Sequence, residues 1–92
     1  MYLIFCIDKP GSLDIRKANR DAHLAYLKEQ GDKLVSAGPT IAEDGETMNG
    51  SLLLMNFADK AEADAFAAGD PYAKAGLFES VTIRKWKKVL GD

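Results

Sequence analysis

The chain has 92 residues, which suits a single domain and lies above the size at which chains usually need disulfides or metals to fold. Apolar residues make up 47% and charged residues 28%, and the net charge of −2 excludes bulk electrostatic binding to nucleic acid or anionic membranes. The first residues form neither a signal peptide nor a membrane span, and the single cysteine precludes an intrachain disulfide. We therefore expect one cytoplasmic domain covering residues 1–92.

The first predicted element is a strand over Tyr2 to Ile7, a continuous apolar run rich in β-branched and aromatic side chains. Such a run is typical of a strand that is covered on both faces. Cys6 lies inside it. Without a second cysteine or a neighbouring motif, this residue is interpreted as a small buried side chain and not as a nucleophile.

A long helix follows and carries the only histidine, His23. Ser12 or Asp14 can cap its start, and the helix runs to about Gln30 before Gly31 supplies the left-handed conformation that ends it. At about 100° per residue, His23 falls near the centre of the face that enters the fold. This face is bordered by Ile15, Ala22, Leu24, Tyr26 and Leu27, and it also presents Arg16, Asn19 and Arg20. Polar groups on an inward face need polar partners.

The second predicted strand covers Lys33 to Thr40 and contains Gly38 and Pro39, which interrupt a ladder or mark a sheet edge. The acidic stretch from Ile41 to Gly50 is typical of a solvent-facing connecting loop. A metal site is disfavoured there because the run lacks the ligand spacing of a calcium loop.

A third apolar strand over Ser51 to Phe57 precedes a second helix. Asp59 and Glu62 form a capping-box-like start for this helix, which is predicted to run from Lys60 to about Ala68. Its inward side is predicted to contain Ala63, Phe66 and Ala67.

Asp70 and Pro71 predict a short third helix, with the aspartate as its cap, the proline at its first position and Gly76 as its end. Residues Glu79 to Leu90 alternate between apolar and polar types and predict a long fourth strand. The basic cluster from Arg84 to Lys88 has one aromatic residue and lies in an acidic chain. A solvated or interface strand is therefore favoured there over contact with nucleic acid.

The order strand, helix, strand, strand, helix, strand predicts an α+β, ferredoxin-like βαββαβ fold, in which a four-stranded antiparallel sheet carries the helices on one face. The first and third strands are apolar at every position, so the second face also needs a partner. A second copy of the chain is the simplest partner. We expect a homodimer whose open sheet faces pack together and enclose a barrel-like core.

The candidate chemistry centres on His23. An imidazole moves protons at neutral pH when a carboxylate fixes its tautomer. Asp70 is the candidate partner, since the start of the third helix can lie beside the first helix, although the same residue can serve simply as a cap. Arg16 and Arg20 can hold an anionic or phenolate substrate, or can pair with carboxylates such as Asp8 or Asp70.

Other chemistries lack their parts. One histidine and one cysteine do not make a zinc site. The glycines lack the spacing of a phosphate loop, and the serines lack the context of a nucleophile elbow. The sequence therefore predicts neither a metal nor an organic cofactor.

Several short motifs occur in a fixed order along nearly the whole chain. They are Asp8, Leu13, Arg16, Arg20, His23-Leu24, Leu27, Ala37-Gly38-Pro39, Gly50-Ser51, Asp70-Pro71-Tyr72, Ala75-Gly76 and Lys87-Lys88-Val89. Together this ordered set resembles the YciI-like (YCII-related) family. The sequence departs from the usual family pattern in its short loop from Thr40 to Asn49 and in Lys85-Trp86, which stands where a proline-aromatic pair is common.

The resemblance implies a dimeric α+β barrel of ferredoxin-like subunits with a site built on His23 and Asp70. One relative in this family is similar to a dehydrochlorinase that acts on a chlorinated hydroxyquinol. The residues expected to bind a substrate are Arg16, Arg20, Gly38, Pro39, Ser51 and Tyr72.

These observations lead to two hypotheses. The first is a small cofactor-independent enzyme in which His23 acts as general acid or base in the elimination or isomerisation of a small polar or aromatic ring. Asp70 would orient the imidazole, and an arginine would stabilise a developing oxyanion. The alternative is a non-catalytic dimeric domain that binds a small molecule or serves as an accessory module.

Overall fold

The computed structural model describes residues 1–91 and contains a single four-stranded sheet with three helices. The elements are β1 (Tyr2–Asp8), α1 (Leu13–Lys28), a 3-10 turn (Gly31–Lys33), β2 (Leu34–Ile41), β3 (Met48–Met55), α2 (Lys60–Gly69), α3 (Pro71–Lys74) and β4 (Phe78–Lys85). The strand order is β2-β3-β1-β4, and every neighbouring pair is antiparallel. The predicted ferredoxin-like fold is confirmed. Within the described residues, no helix is long and apolar enough to cross a bilayer; the expected cytoplasmic location stays a prediction.

One face of the sheet carries the core. Side chains alternate between the two faces of a strand, and in β1 Tyr2, Ile4 and Cys6 are buried while the residues between them are not. The buried side chains of β1 and β3 pack against apolar residues of α1 and α2, including Leu27 and Phe66. The helices therefore shield this face from water, and the interpretation of Cys6 as a buried structural residue is confirmed.

No helix within residues 1–91 covers the opposite face of the sheet. The register places Leu3 beside Leu54 and Phe5 beside Leu52, so these four side chains form one apolar patch. Leu52 is 40% exposed and Ile7 is 42% exposed. The expectation that β1 is covered on both faces is thus met on one face only within a single chain. We refer to Leu3, Phe5, Ile7, Leu52 and Leu54 as the open-face patch.

Helix α1 differs from its prediction in two details of its ends. Ser12 is the N-cap residue, but its side chain makes no capping hydrogen bond, and only its carbonyl oxygen accepts from the Arg16 N–H at 3.1 Å. The helix ends at Lys28 and not at Gln30, because the Gln30 N–H bonds to Leu27 in a tighter turn. Gly31 then takes a φ of 59°, the left-handed conformation expected at this exit.

The face of α1 that enters the fold is narrower than predicted. Arg16, His23 and Leu27 are buried, whereas Arg20 and Ala22 are exposed. These three buried residues are separated by seven and then by four positions, which correspond to two helical turns and one turn. They therefore form a single stripe along the helix. The prediction that Ala22 borders the buried face is therefore wrong.

Strand β2 is an edge strand, as Gly38 and Pro39 indicated. It runs to Ile41, and β3 begins at Met48, so the acidic loop is shorter than predicted. Asp44 builds the tight connection, because its carboxylate accepts the backbone N–H groups of residues 46 and 47 at 2.9 and 2.8 Å. Residues 1–91 contain no group of three or more His, Cys, Asp or Glu side chains placed to hold a metal ion.

The starts of α2 and α3 follow the predicted capping. Asp59 accepts the Glu62 N–H, and Asp70 accepts the Tyr72 N–H. Strand β4, by contrast, ends at Lys85 and does not continue to Leu90. The last backbone bond on this side runs from the Trp86 N–H to the Met1 carbonyl oxygen, so β1 offers no further partner beyond it.

Candidate active site

The site is built on a hydrogen bond between His23 and Asp70. Nδ1 of His23 lies 2.8 Å from Oδ1 of Asp70, and both side chains are almost fully buried. The same carboxylate oxygen accepts the backbone N–H of Tyr72 at 2.9 Å. Asp70 therefore caps α3 and holds the imidazole with one oxygen, which combines the two roles that the sequence left as alternatives.

The hydrogen bond to Asp70 determines which His23 nitrogen is available for chemistry. A buried carboxylate accepts, so Nδ1 carries the hydrogen and Nε2 of the neutral ring keeps its lone pair. Nε2 forms no hydrogen bond with residues 1–91. Within these residues, every side-chain nitrogen or oxygen that is shielded from solvent has a hydrogen-bond partner, so Nε2 is not one of the shielded atoms. Nε2 is therefore accessible, and His23 lines the cavity described below.

Tyr72 connects the histidine to an arginine. Its ring stacks on the His23 imidazole with centroids 3.9 Å apart and planes 15° apart, and the Arg16 guanidinium carbon lies 4.6 Å from the ring centroid. Because His23 and Arg16 are two helical turns apart, the phenol ring lies between them. Burial raises the pKa of the Tyr72 hydroxyl, and the charges of Arg16 and Arg20 oppose this rise. The phenol therefore stays protonated at neutral pH.

Arg16 is held by a buried network. Its Nε and Nη2 donate to the two carboxylate oxygens of Asp8 at 2.7 and 2.9 Å, and Nη2 also donates to Ser51 Oγ at 2.8 Å. Burial alone lowers the pKa of the guanidinium, but the hydrogen bonds and charge of Asp8 outweigh this and raise it. Arg16 is thus a fixed positive charge. Two roles were open for it, binding of a substrate and pairing with a carboxylate, and the structure shows the pairing, with Asp8.

Arg20 has a different environment. It is exposed and forms no salt bridge with any of residues 1–91, but it lines the same cavity as His23. A cation that is not committed to an internal carboxylate can pair with an incoming anion. Of the two predicted arginines, Arg20 is the one available to a ligand.

A cavity of about 380 Å³ lies between α1 and the edge strand β2. At one end it is polar and is lined by Arg16, Arg20, His23, Ser51 and Tyr72. Toward the end of α1 and the start of β2 the lining is mostly apolar, with Leu24, Leu27, Leu34, Val35 and Ala37, and it also includes Ser36 and Lys28. Ser51 accepts a hydrogen bond from Arg16, so its own O–H can be donated into the cavity.

The structure brings the sequence-predicted residues together around this cavity. All six residues expected to bind a substrate line it: Arg16, Arg20, Gly38, Pro39, Ser51 and Tyr72. Asp70 lies behind His23 and does not line the cavity. The roles assigned to these residues stay predictions.

Sequence reasoning missed the apolar end of the cavity. Leu24 and Leu27 were placed at one margin of the buried face of α1, and Leu34 and Val35 were assigned only to a strand. The signal was present in Gly38 and Pro39: an edge strand leaves one of its sides without a neighbouring strand, and the helix above that edge can leave a groove. Periodicity alone does not give the spacing between a helix and a sheet edge.

A family model for the YCII-related domain matches residues 1–87. The chain belongs to the YCII-related family. A protein YciI from Escherichia coli O6:H1 is 38% identical over an alignment 96 positions long that covers 97% of this chain and 98% of that protein. An uncharacterized protein from Haemophilus influenzae is 38% identical over an alignment 95 positions long that covers 96% of this chain and 97% of the relative.

Solved structures are also similar to this YCII-related chain. The 5-chloro-2-hydroxyhydroquinone dehydrochlorinase TftG from Burkholderia phenoliruptrix AC1100, solved in complex with 2,5-dihydroxybenzoquinone, superposes with a TM-score of 0.85 and 40% identity, covering 94% of this chain and 92% of TftG. An antibiotic biosynthesis monooxygenase superposes with a TM-score of 0.59 at 10% identity, covering 97% of each chain. At that identity the likeness shows the fold alone.

Proposed function

We propose that this YCII-related protein is a small enzyme that uses His23 as a general base on an acidic, hydroxylated ring and catalyses elimination or isomerisation. The observation that carries the proposal is the orientation of His23. Its Nδ1 is held by the buried Asp70 carboxylate at 2.8 Å, and its Nε2 opens onto a cavity of about 380 Å³. A positioned imidazole of this kind contributes roughly 10²–10⁴-fold to proton transfer.

The substrate class is supported by the likeness to TftG. TftG is a dehydrochlorinase of a chlorinated hydroxyhydroquinone and was solved with a dihydroxybenzoquinone. Both molecules are oxygen-rich six-membered rings that readily carry negative charge. The polar end of the cavity presents Arg20 and the Ser51 hydroxyl, with the Asp8-paired Arg16 beside them, and these groups are complementary to such oxygens.

The proposed elimination is a loss of HX in which every electron pair is accounted for. Nε2 of His23 takes a proton from a ring hydroxyl group, and the O–H electron pair becomes the π bond of a ring carbonyl. The ring π pair that this displaces takes the proton back from Nε2 at the carbon that bears the leaving group, which becomes tetrahedral. A second hydroxyl proton then passes to Nε2, its electron pair forms the second carbonyl, the adjacent ring π pair shifts to the tetrahedral carbon, and the leaving group departs from that carbon with its own bonding pair. His23 becomes a cation, which the Asp70 carboxylate stabilises through Nδ1–H. Isomerisation uses the same first step and returns the proton to another atom of the ring.

Arg20 and Tyr72 have distinct proposed tasks. Arg20 neutralises the negative charge that the ring oxygen acquires when the proton leaves. Tyr72 stacks on His23 and on Arg16, so it fixes the distance between the base and the positive charge. Each of these side chains comes from the same chain as His23.

We further propose that two copies associate through the open-face patch. Five apolar side chains share this face, and Leu52 and Ile7 at its centre and end are each about two-fifths exposed in the single chain. Contiguous apolar surface of this kind marks an interface, and a two-fold axis brings the same patch of both copies together. Such packing covers both faces of β1 and β3.

The test of the catalytic proposal is a turnover assay with 5-chloro-2-hydroxyhydroquinone, in which chloride release and quinone absorbance are followed together. The wild type is expected to release chloride and quinone in equal amounts. His23→Gln, which keeps a polar side chain of similar size, is expected to lose about 100-fold or more of kcat. Lys17→Gln, on the exposed side of the same helix, serves as the matched control.

Two results would contradict the proposal. One is a His23→Gln variant with wild-type turnover, because the base would then be another group. The other is saturable binding of the ring compound without turnover of any hydroxylated haloaromatic tested, which would favour the alternative of a non-catalytic binding domain.

A further inference from the structure

We infer that the ligand of this cavity is an amphipathic anion: an acidic hydroxylated ring that carries an apolar arm several carbons long. The inference rests on the proposed function for the ring and extends it to a part of the ligand that the catalytic residues do not contact. It assigns the apolar end of the cavity, which has no part in the proton transfer, to the recognition of that arm.

The residues that line the cavity extend along more of the backbone than a ring alone would contact. It is lined on one wall from Arg16 to Lys28 of α1, a rise of roughly 18 Å at 1.5 Å per residue. On the other wall it is lined from Leu34 to Pro39 of β2, a span of roughly 17 Å at 3.3 Å per residue. The two walls agree in length, and a single six-membered ring with its oxygens covers only part of it.

The lining changes character along this length. The register pairs Pro39 with Ser51, and Ser51 bonds to Arg16, so this end of the groove is polar. His23 follows two turns of α1 further along, next to the first apolar residue, Leu24. At the opposite end of β2, Leu34 packs against the core to which Leu27 belongs, and Val35 follows it. A ligand that fills both ends must therefore be polar at one end and apolar at the other.

The size and charge of the cavity agree with such a ligand. A volume of about 380 Å³ falls in the range of roughly 300–1,000 Å³ that suits molecules larger than one ring. The cations that line it without a salt bridge to residues 1–91 are Arg20 and Lys28, since Arg16 is paired with Asp8, and no carboxylate is among the lining residues. In a chain of net charge −2, this concentration of cations selects an anion.

The test compares two ring probes by isothermal titration calorimetry on the full chain: 2,5-dihydroxybenzoquinone and its 3-hexyl derivative. If about half of the hexyl chain is buried, the derivative binds at least ~30-fold more tightly. Val35→Asp introduces a charge on the arm's proposed wall and is expected to reduce this ratio below about 3-fold. Val81→Asp, at a site of similar exposure on the other edge strand, is the matched control and is expected to leave the ratio intact; Val35 is 46% exposed and Val81 is 41% exposed.

The outcomes separate this inference from the function on which it rests. Equal affinity for the two probes would overturn the inference while the ring site stands. A hexyl preference that survives Val35→Asp would overturn it as well, because the arm would then lie on another surface. If neither probe binds and no chloride is released in the turnover assay, the proposed function is wrong, and the inference that rests on it is wrong as well. A preference lost in Val35→Asp and kept in Val81→Asp supports it.

Discussion

His23 and Asp70 are 47 positions apart in the sequence, yet Nδ1 of the first lies 2.8 Å from Oδ1 of the second. The contact joins the middle of α1 to the start of the short helix α3. Because Asp70 also accepts the Tyr72 N–H, the cap that begins α3 fixes where the histidine's partner stands. The geometry of the proposed base therefore depends on the local turn that begins α3 and on the packing of α3 against α1, where Tyr72 stacks on His23.

Asp70→Asn is predicted to damage activity more than stability. Asparagine is a good N-cap, so the free energy of unfolding is expected to change by about 1 kcal/mol or less. Its amide can donate to Nδ1, which favours the wrong tautomer, and kcat is expected to fall by about 100-fold or more. Turnover and urea unfolding of the same preparation measure both effects. Asp70→Ala, which loses the cap and the partner together, is the control and should lose about 1–3 kcal/mol.

Arg16→Met is predicted to destabilise the fold strongly. The substitution leaves the Asp8 carboxylate buried without its two hydrogen bonds, and Asp8 is only 9% exposed. Removal of one partner from a buried ion pair costs about 3–5 kcal/mol. The free energy of unfolding, measured by urea titration at pH 7, should fall by that amount.

The control for this prediction is the double variant Arg16→Met with Asp8→Asn. It removes the stranded charge, so it should be more stable than the single Arg16 variant by about 1–2 kcal/mol. A double variant that is less stable than Arg16→Met would show that the loss comes from packing around Tyr72 and not from the unpaired carboxylate.

Leu52→Glu is predicted to separate the proposed dimer into monomers. Leu52 lies beside Phe5 in the open-face patch, and two unpaired carboxylates there would be buried against each other. Val81→Glu is the matched control, since Val81 lies beside Cys6 and so points to the helix-covered face. The two residues are equally exposed in the single chain, at 40% and 41%. Sedimentation velocity at micromolar concentration should give a dimer for the wild type and the control and a monomer for Leu52→Glu; a wild-type monomer would remove the dimer proposal.

The fold was predictable because its signals are local. The continuous apolar runs over β1 and β3, the caps at Asp59 and Asp70, and the glycine exit at Gly31 each determine a boundary within a few residues. The end of β4 was not predictable in this way. It depends on the pairing of β4 with β1, in which the Trp86 N–H bonds to the Met1 carbonyl oxygen.

The residues of the site could be predicted from the sequence, but the different environments of its two arginines could not. Helical spacing placed Arg16 and Arg20 on one face with His23, and it gave no reason to separate them. The structure does separate them: Arg16 is held by Asp8, which approaches from the end of β1, and Arg20 stays at the cavity rim. Such a difference arises from the neighbouring strand, so the sequence of the helix cannot contain it.

The last prediction concerns the stability of the fold at alkaline pH. Burial raises the pKa of the Cys6 thiol from 9.0 to about 12, and the charges of Asp70 and Asp8 add to the rise while that of Arg16 opposes it. Between these two values the folded chain keeps the thiol proton and the unfolded chain loses it. The thiol's contribution to stability is therefore fully present below pH 9 and is lost as the pH rises toward 12, with a slope that approaches ~1.4 kcal/mol per pH unit.

Tyr26 and Tyr72 also have raised pKa values, so a measurement on the wild type alone does not isolate the effect of the cysteine. The free energy of unfolding is measured for wild type and Cys6→Ala in urea with a reductant at pH 7.5, 9.5 and 10.5 (values chosen about the two pKa limits). The tyrosines contribute equally to both proteins, so the difference between the two free energies cancels their contribution. That difference should be constant below pH 9 and should shift against the wild type above it, and parallel curves over the whole range would contradict the prediction.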